Sequence, residues 1–162
     1  MKLITIGVGE HGASKAPGEA VKTYALGSCV AVVLLDPRTR TVGMAHIALP
    51  ESSVQPDRVK TRPAYFADTG IPALFEAMQA QGAAPNGRGM MAKLAGGAKV
   101  MDHNSVFNIG KRNVLAIRKI LWKYGLGPVA EDVGGEISRT VTVEVSSGKV
   151  IIDSAGRGQW TI

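Results

Sequence analysis

Cysteine is almost missing from this sequence: Cys29 is the single thiol in 162 residues. One thiol excludes an intramolecular disulfide framework and any zinc site built on several thiolates. Histidine is nearly as scarce. His11, His46 and His103 show no pair at the four-residue helical spacing of a metalloprotease, so the chain is expected to work without a metal. Aromatic residues make up only 5%, and no run of Lys or Arg is interleaved with Phe or Tyr. The stacking platforms of RNA-binding and single-strand-binding proteins are therefore lacking. No apolar run approaches the roughly 18–20 residues of a bilayer span. The opening residues MKLITIGVGEHG also lack the charged, apolar, small-residue order of a signal peptide, and a cytoplasmic protein without membrane insertion is the expectation. Neither a G-x-G-x-x-G nor a P-loop spacing occurs.

What is present suits one compact domain over residues 1–162, since apolar residues make 45% and charged residues 20% of the chain. The 19 Lys and Arg exceed the 13 Asp and Glu, a net charge of +6 that favours an acidic partner without naming it. Twenty Gly and eight Pro punctuate short apolar stretches. Leu3–Val8 and Ala20–Leu26 read as strands. Cys29–Leu35, a continuous apolar run, reads as a strand buried on both faces. The turn residues Asp36 to Arg40 return it as a hairpin into Thr41–Leu49. Residues 50–62 are polar and read as an exposed loop. Ile71, Leu74, Phe75 and Met78 fall at helical spacing, with Thr69 as cap and Pro72 in the first turn.

A strand at Gly89–Ala95 and the turn Gly96-Gly97 come next. A second helix runs from about Ile109 and carries Ile117, Ile120, Leu121 and Tyr124 on one stripe, with Lys111, Arg112, Arg118, Lys119 and Lys123 on the other face. Strands at Val129–Val133, Ser138–Val145 and Lys149–Ile152 close the chain. The class is α/β, a layered sandwich. Met78, Met90 and Met91 read as core filler, and His11 and His103 as loop residues.

A lone cysteine is often a small buried hydrophobe. Here Leu26-Gly27-Ser28 leads into Cys29, so Gly27 permits a sharp turn and leaves the thiol at a strand edge, with nearby backbone N–H groups free to meet a substrate oxygen. His46 lies on the hairpin partner and can reach the thiol, which would give a thiolate–imidazolium pair and a general base. Thr23 can hold the other ring nitrogen in the role of a triad's third member. Spacing alone leaves two readings open: this dyad, or a hydrogen-bonded histidine on a half-buried strand.

The segments TYALGSCVAVVLLD, GMAHIALP, YFADTGIPALFEAM, AKLAGGAKVM, IGKRN and EDVGGEISRTV, in that order, resemble the CheD family of chemoreceptor glutamine deamidases. The resemblance implies mixed sheets flanked by helices, similar to the catalytic domain of cytotoxic necrotizing factor. It further implies Cys29 as nucleophile, His46 as base, Thr23 as orienting residue, and Gly27 and Ser28 near the oxyanion. The substrates it implies are glutamines on the cytoplasmic helices of methyl-accepting chemoreceptors, and it suggests glutamyl methyl esters at the same sites. CheC phosphatase is the implied partner, docking near Gly96, Gly97 and Met101; no cofactor is implied. The rival readings are a non-catalytic adaptor that binds CheC and, more distantly, a basic RNA-binding protein. Ala95 departs from the family, where many members carry a bulky aromatic residue.

Overall fold

A computed structural model describes residues 1–99 and 108–162; Met101 and His103 lie outside the described residues. Among the described residues, ten strands form two mixed sheets. The first contains β1 (Lys2–Thr5), β3 (Glu19–Leu26), β8 (Arg139–Glu144), β9 (Val150–Ser154) and β10 (Gly158–Thr161), in that order. The second has the order β2 (His11–Ser14), β5 (Thr41–Ile47), β4 (Val30–Asp36), β6 (Met91–Gly96), β7 (Pro128–Val133). Only β1 with β3 and β6 with β7 run parallel; the other pairs are antiparallel.

The apolar run Cys29–Leu35 becomes the central strand β4 from Val30, which ends on Asp36, and every residue of β4 is buried. Alternation explains how one strand serves two cores. Ala31, Val33 and Leu35 face Val21, Leu26, Val141, Val143 and Ile152 of the first sheet, while Val30, Val32 and Leu34 face the helices. α1 (Ala67–Ala80) contributes Ile71, Leu74, Phe75 and Met78 to the helix-side core, and α2 (Ile109–Lys123) contributes Val114, Ile117 and Leu121. Both helices cover the same sheet, so the layers run sheet, sheet, helices. Gly43 on β5 permits the close approach of α1, because a Cβ there would lie 2.9 Å from both Leu74 and Met78.

Several local expectations change. Residues 11–14 form β2 rather than a loop, because an edge of β5 is open to pairing there, and His11 is half-buried opposite Ala45. The strand β10 has too little alternation to be visible in sequence. α1 begins at Ala67 after an extended Phe66, without a side-chain cap. Thr69 instead donates to the Pro63 carbonyl at 2.5 Å, and Asp68 meets the helix dipole while accepting from Ser52 N and Oγ. Pro72 therefore sits in the second turn, where its missing N–H leaves one helical bond unmade. Met78 and Met90 are core residues, but Met91 opens β6 at the surface. Residues 52–54 and 56–60 wind into short 3-10 turns within the polar connection.

Candidate active site

The site forms where the chain passes from one sheet to the other. β3 ends at Leu26 and β4 starts at Val30, so Gly27, Ser28 and Cys29 are the crossing. All three are half-buried. The register places Ala31 opposite His46. Cys29, two residues before Ala31 and packed against the same inter-sheet core, lies just ahead of that pairing, and no hydrogen bond joins its thiol to the imidazole among the described residues.

Thr23 reaches the histidine from the opposite sheet. Its Oγ1 lies 2.7 Å from His46 Nδ1 and 2.8 Å from the Ile6 carbonyl, both buried contacts. A hydroxyl has one proton, and a carbonyl can only accept. Thr23 therefore donates to Ile6 and accepts from Nδ1–H, which assigns the tautomer: Nε2 of the neutral ring carries the lone pair. Nε2 is buried and without a hydrogen-bond partner among the described residues. A bulge between Thr23 and Leu26, with Ala25 at φ 53°, turns the strand toward the crossing just after Thr23.

Electrostatics differ from the expected ion pair. Burial pushes the Cys29 thiol up. Burial also lowers His46 from 6.5 to about 4, opposed only in part by the Glu10 carboxylate. Both shifts favour the neutral forms, thiol and imidazole, over thiolate and imidazolium.

Backbone bonds fix the crossing through its carbonyls. Gly27 O accepts from Ala98 N at 2.9 Å, Cys29 O from Gly97 N at 2.8 Å, and Ser28 O from Asn113 Nδ2 at 3.0 Å. In a planar trans peptide the next N–H points the opposite way. The N–H groups of Ser28 and Cys29 accordingly face away from these supports, and no hydrogen bond takes up the Cys29 N–H among the described residues. Gly96 and Gly97 are both buried under the crossing. A Cβ on Gly96, whose φ is 119°, would lie 2.3 Å from Cys29 O. The glycine pair is thus packed beneath the crossing, and Gly97 also lines a surface cavity with Lys111, Val114 and Gly134.

Three contributors escaped the sequence reading. Ile6 and Glu10 act through backbone carbonyls, Ile6 on Thr23 and Glu10 on the His46 N–H at 3.0 Å; a carbonyl leaves no trace in residue type. Asn113 did leave one, as the polar member of a helix stripe otherwise made of Gly110, Val114, Ile117 and Leu121. The basic face of α2 is partly neutralised, since Arg118 pairs with Glu131 through two bonds of 2.9 and 3.1 Å. Among the described residues no cluster of three or more metal-ligating side chains occurs, and no helix is long and apolar enough to cross a membrane.

Comparison with known proteins adds the following. The family described as CheD chemotactic sensory transduction matches residues 48–154, a stretch that begins just after His46. Full-length relatives extend over the whole site. The chain is 54% identical over 162 residues to a probable chemoreceptor glutamine deamidase CheD of Syntrophotalea carbinolica, covering 100% of both. It is 46% identical to a probable chemoreceptor glutamine deamidase CheD of Solibacter usitatus, over 97% of this chain and 92% of that one. It is 39% identical to the chemoreceptor glutamine deamidase CheD of Thermotoga maritima, over 95% of this chain and 93% of that one.

Proposed function

Because the chain belongs to the CheD family, we propose that it is a chemoreceptor glutamine deamidase that uses Cys29 as nucleophile, His46 as acid and base, and Thr23 to orient the base. The observation that carries this reading is the Thr23 hydroxyl, which commits its proton to Ile6 and so leaves His46 Nε2 as a bare base on the strand paired with the one that Cys29 leads into.

The reaction starts from a neutral pair. The Sγ–H proton passes to Nε2 as sulfur attacks the glutamine side-chain carbonyl carbon; a C–S bond forms and the carbonyl π pair moves to oxygen. The Cys29 N–H, with that of Ser28 beside it, faces the developing oxyanion. His46 then returns the proton to the departing nitrogen, which leaves as ammonia. Water loses a proton to Nε2 and attacks the thioester, and collapse releases glutamate and the thiol. Starting neutral suits a buried site, because charge develops only where donors are already aimed.

Glutamyl methyl esters fit the same cycle, with methanol as the leaving product. The natural substrates are glutamines on the cytoplasmic helices of chemoreceptors. CheC is a second partner, competing with receptor for the mouth beside the polar 50–62 connection. Mass spectrometry of a receptor cytoplasmic fragment incubated with the protein is the test: each converted glutamine gains about one dalton, as exchange of NH₂ for OH requires. A fragment of unchanged mass, or one converted equally by Cys29→Ala protein, rejects the reading in favour of an adaptor. Deamidation at increasing CheC concentration tests the competition, which requires a rising KM at constant kcat.

A further inference from the structure

We propose that Asn113 is a positioning residue for this reaction: from the helix layer its amide locks the nucleophile crossing to the base-bearing strand and turns the Cys29 N–H toward the oxyanion. The inference rests on the deamidase reading above.

Asn113 is fully buried on the apolar face of α2. Both hydrogens of its Nδ2 are used, one on Ser28 O at 3.0 Å and one on Ala48 O at 3.0 Å. Carbonyls only accept, so the orientation of the amide is fixed by its partners. Ser28 immediately precedes the nucleophile. Ala48 lies two residues beyond His46. A single NH₂ group therefore ties together the two backbone points that set the distance between thiol and base.

The same bond sets the oxyanion donor. Of the three carbonyls in the crossing, those of Gly27 and Cys29 are held by backbone N–H groups, and that of Ser28 by the Asn113 side chain. The Ser28–Cys29 peptide is the one that carries the Cys29 N–H. Holding its carbonyl toward α2 points that N–H the other way, because a trans peptide keeps the two groups antiparallel. Asn113 Oδ1, meanwhile, is buried with no partner among the described residues. An unpaired buried acceptor is unfavourable, and a leucine would avoid it. The two donors are what an apolar residue cannot supply.

Three variants of the full chain test this: Asn113→Leu, Asn113→Asp and Asn113→Ala, each assayed for deamidation of a receptor fragment and for alkylation of Cys29 by iodoacetamide. Alkylation is a displacement that develops no oxyanion, so it separates donor alignment from thiol reactivity. We expect kcat to fall about 10²–10³-fold, the effect of losing one oxyanion donor, with KM and the alkylation rate within threefold of wild type. Asn113→Leu leaves the Ser28 and Ala48 carbonyls without their donor and should lower the melting temperature, so kinetics are read at a temperature where thermal melting shows the variant folded. A folded Asn113→Leu protein with kcat within threefold of wild type overturns the proposal, as does a parallel fall in alkylation or a loss confined to KM. A wild-type chain without turnover removes the deamidase reading and this inference together; an active wild type with active variants removes this inference alone.

Discussion

Thr23 Oγ1 and His46 Nδ1 lie 2.7 Å apart, and they belong to different sheets. With the Thr23 proton directed to Ile6, the contact both aims the ring and selects its tautomer. Thr23→Val removes the acceptor and strands both the Ile6 carbonyl and the Nδ1–H. We predict a fall in kcat of about 10²-fold or more for Thr23→Val, and less than about threefold for Thr23→Ser, because misassigned tautomers are costly in triads. Equal kinetics in the two variants would assign the orienting role to another group.

Cys29→Ala should abolish deamidation with little change in melting temperature, since the chain holds no second thiol. His46→Ala should lose about 10²–10⁴-fold, the range for a positioned acid–base group. The double variant should be no slower than Cys29→Ala, because members of one catalytic unit are not additive. Steady-state rates on one receptor fragment decide all three.

The depressed His46 sets the acid limb of the rate profile. A base with its pKa at about 4 is already neutral through mildly acidic pH, so kcat/KM should rise through about pH 4 and then stay level. Thiol alkylation without substrate should instead keep rising into alkaline pH, because burial holds Cys29 above its ordinary value. A plateau of alkylation near neutral pH would establish the ion pair that the burial of both groups opposes.

Stability should follow the same histidine. The unfolded ring binds a proton below 6.5 and the folded ring only below about 4, so the unfolded state holds more protons between those values. Stability from this group is complete above 6.5 and is lost as pH falls toward 4, by about 3 kcal/mol. Denaturant titrations of wild type and His46→Gln should differ in acid slope by that amount. His11, shifted in the same direction, is common to both proteins and cancels.

Gly96→Ala should inactivate the protein. The added carbon would meet Cys29 O at 2.3 Å on a backbone already at φ 119°, so the crossing must move. A displacement of about 1 Å at reacting groups costs about 10²-fold. Activity near wild type would show that the crossing tolerates movement without loss of alignment.

The sequence disclosed the elements with strong patterns and missed those made by pairing. β4 was visible because the first six of its seven residues, Val30 to Leu35, are apolar and all are buried, and α1 and α2 because their stripes repeat at helical spacing. β2, HGAS, has no such pattern; it exists because β5 offers an edge. Cys29, His46 and Thr23 were legible by residue type and by family resemblance. Their charge states were not, since desolvation depends on what surrounds them. The burial of Gly96 and Gly97 was equally hidden, because a glycine pair reads as a turn whether it faces solvent or packs beneath another loop.

That the histidine and its orienting threonine come from opposite sheets has a consequence for the whole sandwich. Their hydrogen bond is a vernier between two sliding plates: a shear that the core between them absorbs at little cost in stability still carries Nδ1 off its partner. Substitutions such as Val33→Ala or Val143→Ala, in the shared core, therefore report on alignment as well as on cohesion. Such variants should lower the melting temperature by the cost of the cavity and, in the protein that remains folded, slow turnover as well.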